Sequence, residues 1–100
     1  MKKEMFRQGD LLFVREDRLP RGSPSKVTRP EDGQLVIAYG EVTGHKHAIV
    51  ADDAELLMYE IGEFLKLKSV APLVHEEHAT QTFDAGVFRV FRQREYTPQE

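Results

Sequence analysis

The chain contains no cysteine. Disulfide bridges and thiolate metal sites are therefore excluded. No apolar run is long enough to cross a bilayer as a helix. The opening residues, Met1-Lys2-Lys3-Glu4-Met5-Phe6, are charged, and no apolar stretch follows them. That pattern predicts no secretory leader, no membrane span and a cytoplasmic location. A glycine-rich phosphate loop is missing, since Gly40 and Gly44 alone are too sparse for one. Ser23 and Ser25 have no base near them in sequence, which argues against a serine nucleophile. The net charge of −3 lacks the basic excess of a bulk nucleic-acid binder, while leaving room for a local basic patch. There is no internal repeat and no low-complexity tract.

The 100 residues suffice for one domain, 1–100, with one small core: 40% are apolar and 31% charged. A chain this short leaves much of its surface exposed, so a bound metal would matter for folding as well as for chemistry.

Short apolar runs separated by glycine and proline organise the chain. Asp10 to Arg15 reads as a first strand after Gly9. Residues 16–33 hold Pro20, Gly22, Pro24, Pro30 and Gly33 among charges and read as one long loop. Its bases Arg18, Arg21, Lys26 and Arg29 are interspersed with acids, which fits a solvated surface, with a loose phosphate-binding loop as the alternative. Gln34 to Tyr39 and His45 to Ala51 are further strands, with a turn from Gly40 to Gly44 between them. Ala54 to Lys68 has two readings. Ala54, Leu57, Met58, Ile61 and Leu65 fit a helical stripe capped by Asp53. A hairpin of Glu55–Glu60 and Glu63–Val70, turning at Ile61-Gly62, is preferred because Gly62 weakens a helix. Ala71-Pro72 reads as a break and Asp84-Ala85-Gly86 as a turn. Val87 to Tyr96, rich in aromatic and β-branched residues, is the best strand, and residues 97–100 a frayed tail. The predicted fold is all-β: a small single-domain barrel or sandwich of short, mostly antiparallel strands with one long loop. An exposed edge strand would allow a homodimer.

All four histidines fall in two tight pairs, His45/His47 in Gly44-His45-Lys46-His47 and His75/His78 in His75-Glu76-Glu77-His78. Imidazole is both a metal ligand and a proton carrier near neutral pH. On a strand, His45 and His47 would share one face. A second pair returned by a meander would complete a site for a divalent metal; zinc fits four nitrogen and oxygen ligands, and nickel, manganese, copper and iron(II) are further candidates because imidazole suits several of them. Glu76 and Glu77 add a ligand, an orienting group or a general base, and Glu41 is a further carboxylate.

Without metal, the same imidazoles could act as general base and general acid in RNA cleavage. Arg92 and Arg94 would then meet the phosphate, and Tyr96 would donate a hydrogen bond. These three share a strand face, which also suits a plain charged surface. Asp52-Asp53 reads as a turn or cap.

The pattern Gly40-Glu41-Val42-Thr43-Gly44-His45-Lys46-His47, then His75-Glu76-Glu77-His78, then Gln93-Arg94-Glu95-Tyr96 resembles a family of small bacterial and phage proteins that is uncharacterised. The resemblance spans Gln8-Gly9-Asp10 to Tyr96. It brings no established activity and implies that both histidine pairs and the Gln-Arg-Glu-Tyr end belong to one design. Gly40 to His47 is also similar to the first cupin motif, although its Gly-to-His spacing is one short and Glu55 comes too late for that motif's carboxylate. Gly9-Asp10-Leu11-Leu12-Phe13-Val14 looks like the opening of small barrel ribonuclease toxins.

Three functions are consistent with these residues. The first is a metal-dependent hydrolase of phosphate esters, with His45, His47, His75 and His78 as ligands and Glu77 or Glu76 as base. The second is a metal-independent ribonuclease or phosphodiesterase, with His47 and His75 among the proton carriers and RNA or a phosphate-containing small molecule as partner. The third is a non-enzymatic module stabilised by metal.

Overall fold

The structure, a computed structural model, describes residues 3–40 and 44–92. Among them there is no helix, and every strand pairing is antiparallel. The strands are β1 (Met5–Gln8), β2 (Leu11–Glu16), β3 (Lys26–Thr28), β4 (Gln34–Tyr39), β5 (Lys46–Val50), β6 (Glu55–Tyr59), β7 (Gly62–Leu67), β8 (Ala71–Val74), β9 (Gln81–Phe83) and β10 (Gly86–Arg92). They form a six-stranded sheet, β1-β2-β10-β7-β6-β3, and a four-stranded sheet, β4-β5-β8-β9. The sheets face each other as a sandwich and do not close into a barrel.

Period-two alternation sets which side chains fill the space between the sheets. Leu11 and Phe13, Leu65 and Leu67, and Phe88 and Val90 come from the larger sheet; Leu35, Ile37, Ile49, Leu73 and Phe83 come from the smaller. Phe83 is the hub, with ring centroids 4.7, 5.1 and 5.0 Å from those of Phe6, Phe13 and Phe88. Each such burial contributes roughly 1.5–3 kcal/mol. A second cluster, Leu57, Tyr59 and Phe64 with Leu19, Val27 and Val87, lies on the opposite face of the larger sheet. Leu19 covers it from the loop after β2.

The preferred hairpin over 54–68 is present as β6 and β7, paired from Glu55↔Lys66 to Tyr59↔Gly62. Its turn falls on Glu60-Ile61, one residue earlier than expected. Other expectations need correction. The 16–33 loop is interrupted by β3, which pairs with β6 through Lys26↔Met58 and Thr28↔Leu56. Ala71-Pro72 does not break the chain but opens β8. Pro72 is tolerated because β5 pairs only with Leu73 and Val74, so at Pro72 only β9 lies alongside. β1 and β9 were not anticipated; four and three residues are too short for a visible alternation. β10 begins at Gly86, and the tail 97–100 lies outside the described residues. No helix among the described residues is long and apolar enough to cross a membrane.

A β-bulge in β4 matters for the site. Val36 faces Ala48 and Ala38 faces His47, so Ile37 is the extra residue. Its carbonyl accepts a 2.9 Å hydrogen bond from Arg92 Nη2 at the end of β10. Arg92 is not an exposed strand base: it follows Phe88 and Val90 on the inner face and forks onto Glu63 through two 2.7 Å contacts. Removing the Glu63 carboxylate takes two charge-assisted contacts from a half-buried guanidinium. Glu63→Gln should therefore lower the unfolding free energy by about 2 kcal/mol in urea titrations, against a few tenths for the exposed Glu60→Gln.

Candidate metal centre

The register between β5 and β8 builds the site. Ala48 faces Val74 and Ile49 faces Leu73. Carried outward by one, two and three residues, the same register puts His47 opposite His75, Lys46 opposite Glu76, and His45 opposite Glu77. The side-chain contacts follow that order. The His47 and His75 ring centroids are 4.3 Å apart. Glu76 Oε1 accepts a 2.9 Å hydrogen bond from the Lys46 amide. Glu77 Oε2 lies 3.7 Å from His45 Nδ1. His78, on the bend before β9, completes the cluster, 4.5 Å from His75 and 5.9 Å from His47 between ring centroids. His45 stands 5.6 Å from His75 in the same measure. The two pairs do meet. They differ in exposure: His47 is buried, His45 and His75 half-buried, His78 exposed.

Gln8, at the end of β1, fixes the buried ring, and nothing in its sequence context marked it. Its amide nitrogen donates to Leu73 O at 3.1 Å and Ala79 O at 3.0 Å. Both donors are then used, so Oε1 is left to accept from His47 Nδ1 at 2.9 Å. On this network the neutral His47 ring carries its proton on Nδ1 and presents an Nε2 lone pair. Burial, then the neighbouring His75 and His78, pushes the His47 pKa from 6.5 down to about 4, so the ring is neutral at pH 7.

His75 has the opposite polarity. Its Nδ1 accepts a 3.0 Å hydrogen bond from the Glu77 amide, so its neutral form carries the proton on Nε2. The Lys46 amide, and then its own, hold the Glu76 carboxyl below the usual range.

Two glycines make room for the rings. Gly9 turns β1 into β2 at φ +58, and a Cβ there would stand 2.8 Å from His78 Nε2 and 3.0 Å from His47 Cε1. A Cβ at Gly40 would stand 3.2 Å from His45 Cβ and 3.4 Å from His75 Nε2.

His45, His75 and Glu76 each offer a ligand atom, all within 4.8 Å of one another, and this group could hold a metal ion. Arg92 is placed at Glu63 and Ile37, as described above. Glu41, Arg94 and Tyr96 lie outside the described residues.

A family model described as a domain of unknown function, DUF8820, matches residues 7–93, which include Gln8 and both histidine pairs. The chain belongs to this family. No curated protein and no solved structure matches it. Membership thus agrees with the uncharacterised family expected from the histidine pattern, and the chemistry of this DUF8820 protein has to be read from its residues.

Two outcomes follow from the Gln8–His47 pair. In metal-free buffer, unfolding free energy should fall as pH drops from about 6.5 to about 4, because the unfolded chain takes up a proton that native His47 refuses. Urea titrations at fixed pH would show this, and His47→Gln should flatten that part of the curve. Gln8→Leu strands two carbonyls and the Nδ1 proton; about 2–4 kcal/mol of stability should be lost, and ¹⁵N shifts should show His47 no longer confined to the Nδ1-protonated form.

Proposed function

We propose that this DUF8820 protein is a metal-dependent hydrolase of phosphate esters, using one divalent ion, zinc first among the candidates. The observation that carries the reading is the convergence of His45, His75 and Glu76 donor atoms within 4.8 Å. Nitrogen and oxygen donors with no thiolate suit zinc, and three protein ligands leave a position for water, as catalytic zinc sites do. His47 and His78 stand beside the group and can extend it. An ion held by His45, His75 and Glu76 would supply Lewis acidity to a phosphoryl oxygen and acidify a water.

The surroundings fit that chemistry. Glu77 is exposed beside His45 and takes the proton as water adds to phosphorus. The bond from phosphorus to the ester oxygen breaks, and the departing alkoxide takes that proton back from Glu77. A cleft of about 810 Å³ lined by Lys46 and Tyr39 is not part of this centre: no histidine, Glu76 or Glu77 lines it, and Lys46 alternates away from His45 and His47 along β5.

One observation favours a second reading. The Glu77 amide occupies His75 Nδ1, so His75 presents Nε2–H while the adjacent His47 presents a bare Nε2. Protonated at Nδ1 as well, which means giving up the Glu77 amide, His75 would be a general acid beside the general base His47, the pair needed for metal-free RNA cleavage through the 2′-hydroxyl. To ligate through nitrogen, His75 has to exchange the Glu77 amide for the metal.

Metal analysis of the purified protein separates them. One equivalent of zinc is expected, with affinity falling at least about tenfold in His45→Ala and His75→Ala. Cleavage of an aryl phosphodiester should stop with chelator and return with zinc. Protein that binds no added divalent ion would falsify the metal reading. RNA cleavage unaffected by chelator would establish the second one.

A further inference from the structure

The basic loop after β2 is not absorbed by the histidine centre. It faces the other side of the larger sheet, where Arg89 alternates with inward-facing Phe88 and Val90. There a pocket of about 360 Å³ is lined by Arg18, Arg21 and Arg89 together with Leu19, Ile61 and Phe64. We infer that this pocket binds a small organic phosphate, its charge met by the three guanidinium groups and its body resting on the apolar side chains.

Arg89 is the starting point. It stacks over Phe91 at 4.8 Å and Phe64 at 5.7 Å from the ring centroids. Its strand neighbours are Val14 and Phe64, neither of which can accept a hydrogen bond from it. Nη2 donates to Ile61 O, and Nε is shut from solvent without any partner. Gly62 closes over it at φ +150; a Cβ there would lie 3.1 Å from Nε. A half-buried guanidinium normally has a carboxylate beside it, since desolvating an unpaired charge is costly. None of the ion pairs among the described residues involves Arg89, Arg18 or Arg21.

The two acids on the pocket do not neutralise it. Glu16 is held by Lys3, which leaves Asp17 against three arginines. Guanidinium is the side chain best matched to phosphate oxygens. The apolar part is also available: Ile61 is 58% exposed at the rim. A cationic wall and an apolar wall in one small pocket suit an anion carried on an apolar or aromatic body better than a bare inorganic ion.

The test is a titration of the full chain followed by NMR of arginine Nε–Hε and Ile61 methyl signals. Phenyl phosphate, inorganic phosphate, phenol and sodium chloride at matched ionic strength are the probes. Phenyl phosphate should give saturable shifts at Arg89 and Ile61 and bind about tenfold tighter than inorganic phosphate. Phenol and chloride should leave the Arg89 signal in place. Arg18→Ala and Arg21→Ala are exposed-loop changes that keep the fold, and each should weaken phenyl phosphate about tenfold. His45→Ala should bind it as the unaltered protein does, so failure here and failure of the metal reading are separate results. No response at Arg89, or a response that follows ionic strength alone or is equal in the arginine variants, overturns the proposal.

Discussion

The pairing of β5 with β8 is the constraint on which the site rests. Only two residue pairs anchor it, Ala48–Val74 and Ile49–Leu73, yet they set the alignment of everything beyond the strand ends. A slip by one residue would turn every side chain of one strand to the other face. Ile49 and Leu73 are fully buried, so that slip would expose two core side chains at once. The hydrophobic core thereby holds the histidines in register. The bulge at Ile37 adds a local adjustment on the other side of β5, and Arg92 stabilises it from the opposite sheet by taking the bulged carbonyl.

Stability and chemistry pull against each other at His47. Four imidazoles within a few ångströms cannot all be protonated without mutual repulsion, and burial makes the innermost one the hardest to charge. Gln8 resolves this with a neutral amide. A carboxylate in its place would favour imidazolium and remove the Nε2 lone pair. Because the amide also spends both its donors on Leu73 and Ala79, the same side chain docks the edge strand β1 onto the smaller sheet. Folding of that edge and readiness of the ring are one event.

Much of this was legible in the sequence, and the rest was hidden for identifiable reasons. The histidine pairs stood out by spacing, but no meander brings them together: the chain crosses to the larger sheet for β6 and β7 and returns in β8 beside β5. The hairpin over 54–68 was readable because Gly62 argues against a helix and Phe64 to Lys68 alternate. β3 was obscured by the prolines and charges around it, and β1 and β9 by their length. Gln8 was invisible because a glutamine before a glycine turn reads as surface; only the fold shows it buried at 2% exposure. Arg92 read as an exposed base because its strand was expected to run on to Tyr96, whereas its side chain turns inward onto Glu63.

The tautomers narrow the chemistry further than the count of histidines does. A ring whose Nδ1–H is already committed can offer Nε2 to a metal or to a substrate proton with equal ease, so His47 does not discriminate. His75 does. Its Nδ1 is held by an amide on the same bend that carries Glu76, two residues from the ring. Metal binding through His75 must break that bond, and the bend must give. The cost is that of one hydrogen bond to a half-buried group, about 1 kcal/mol. That is small against the 10–16 kcal/mol or so that structural zinc contributes. The arrangement therefore does not oppose a metal, and an acid–base pair would have to break the same bond, since His75 becomes an acid only once Nδ1 is protonated. What decides between them is whether the bend of residues 75–78 rearranges when a divalent ion is supplied.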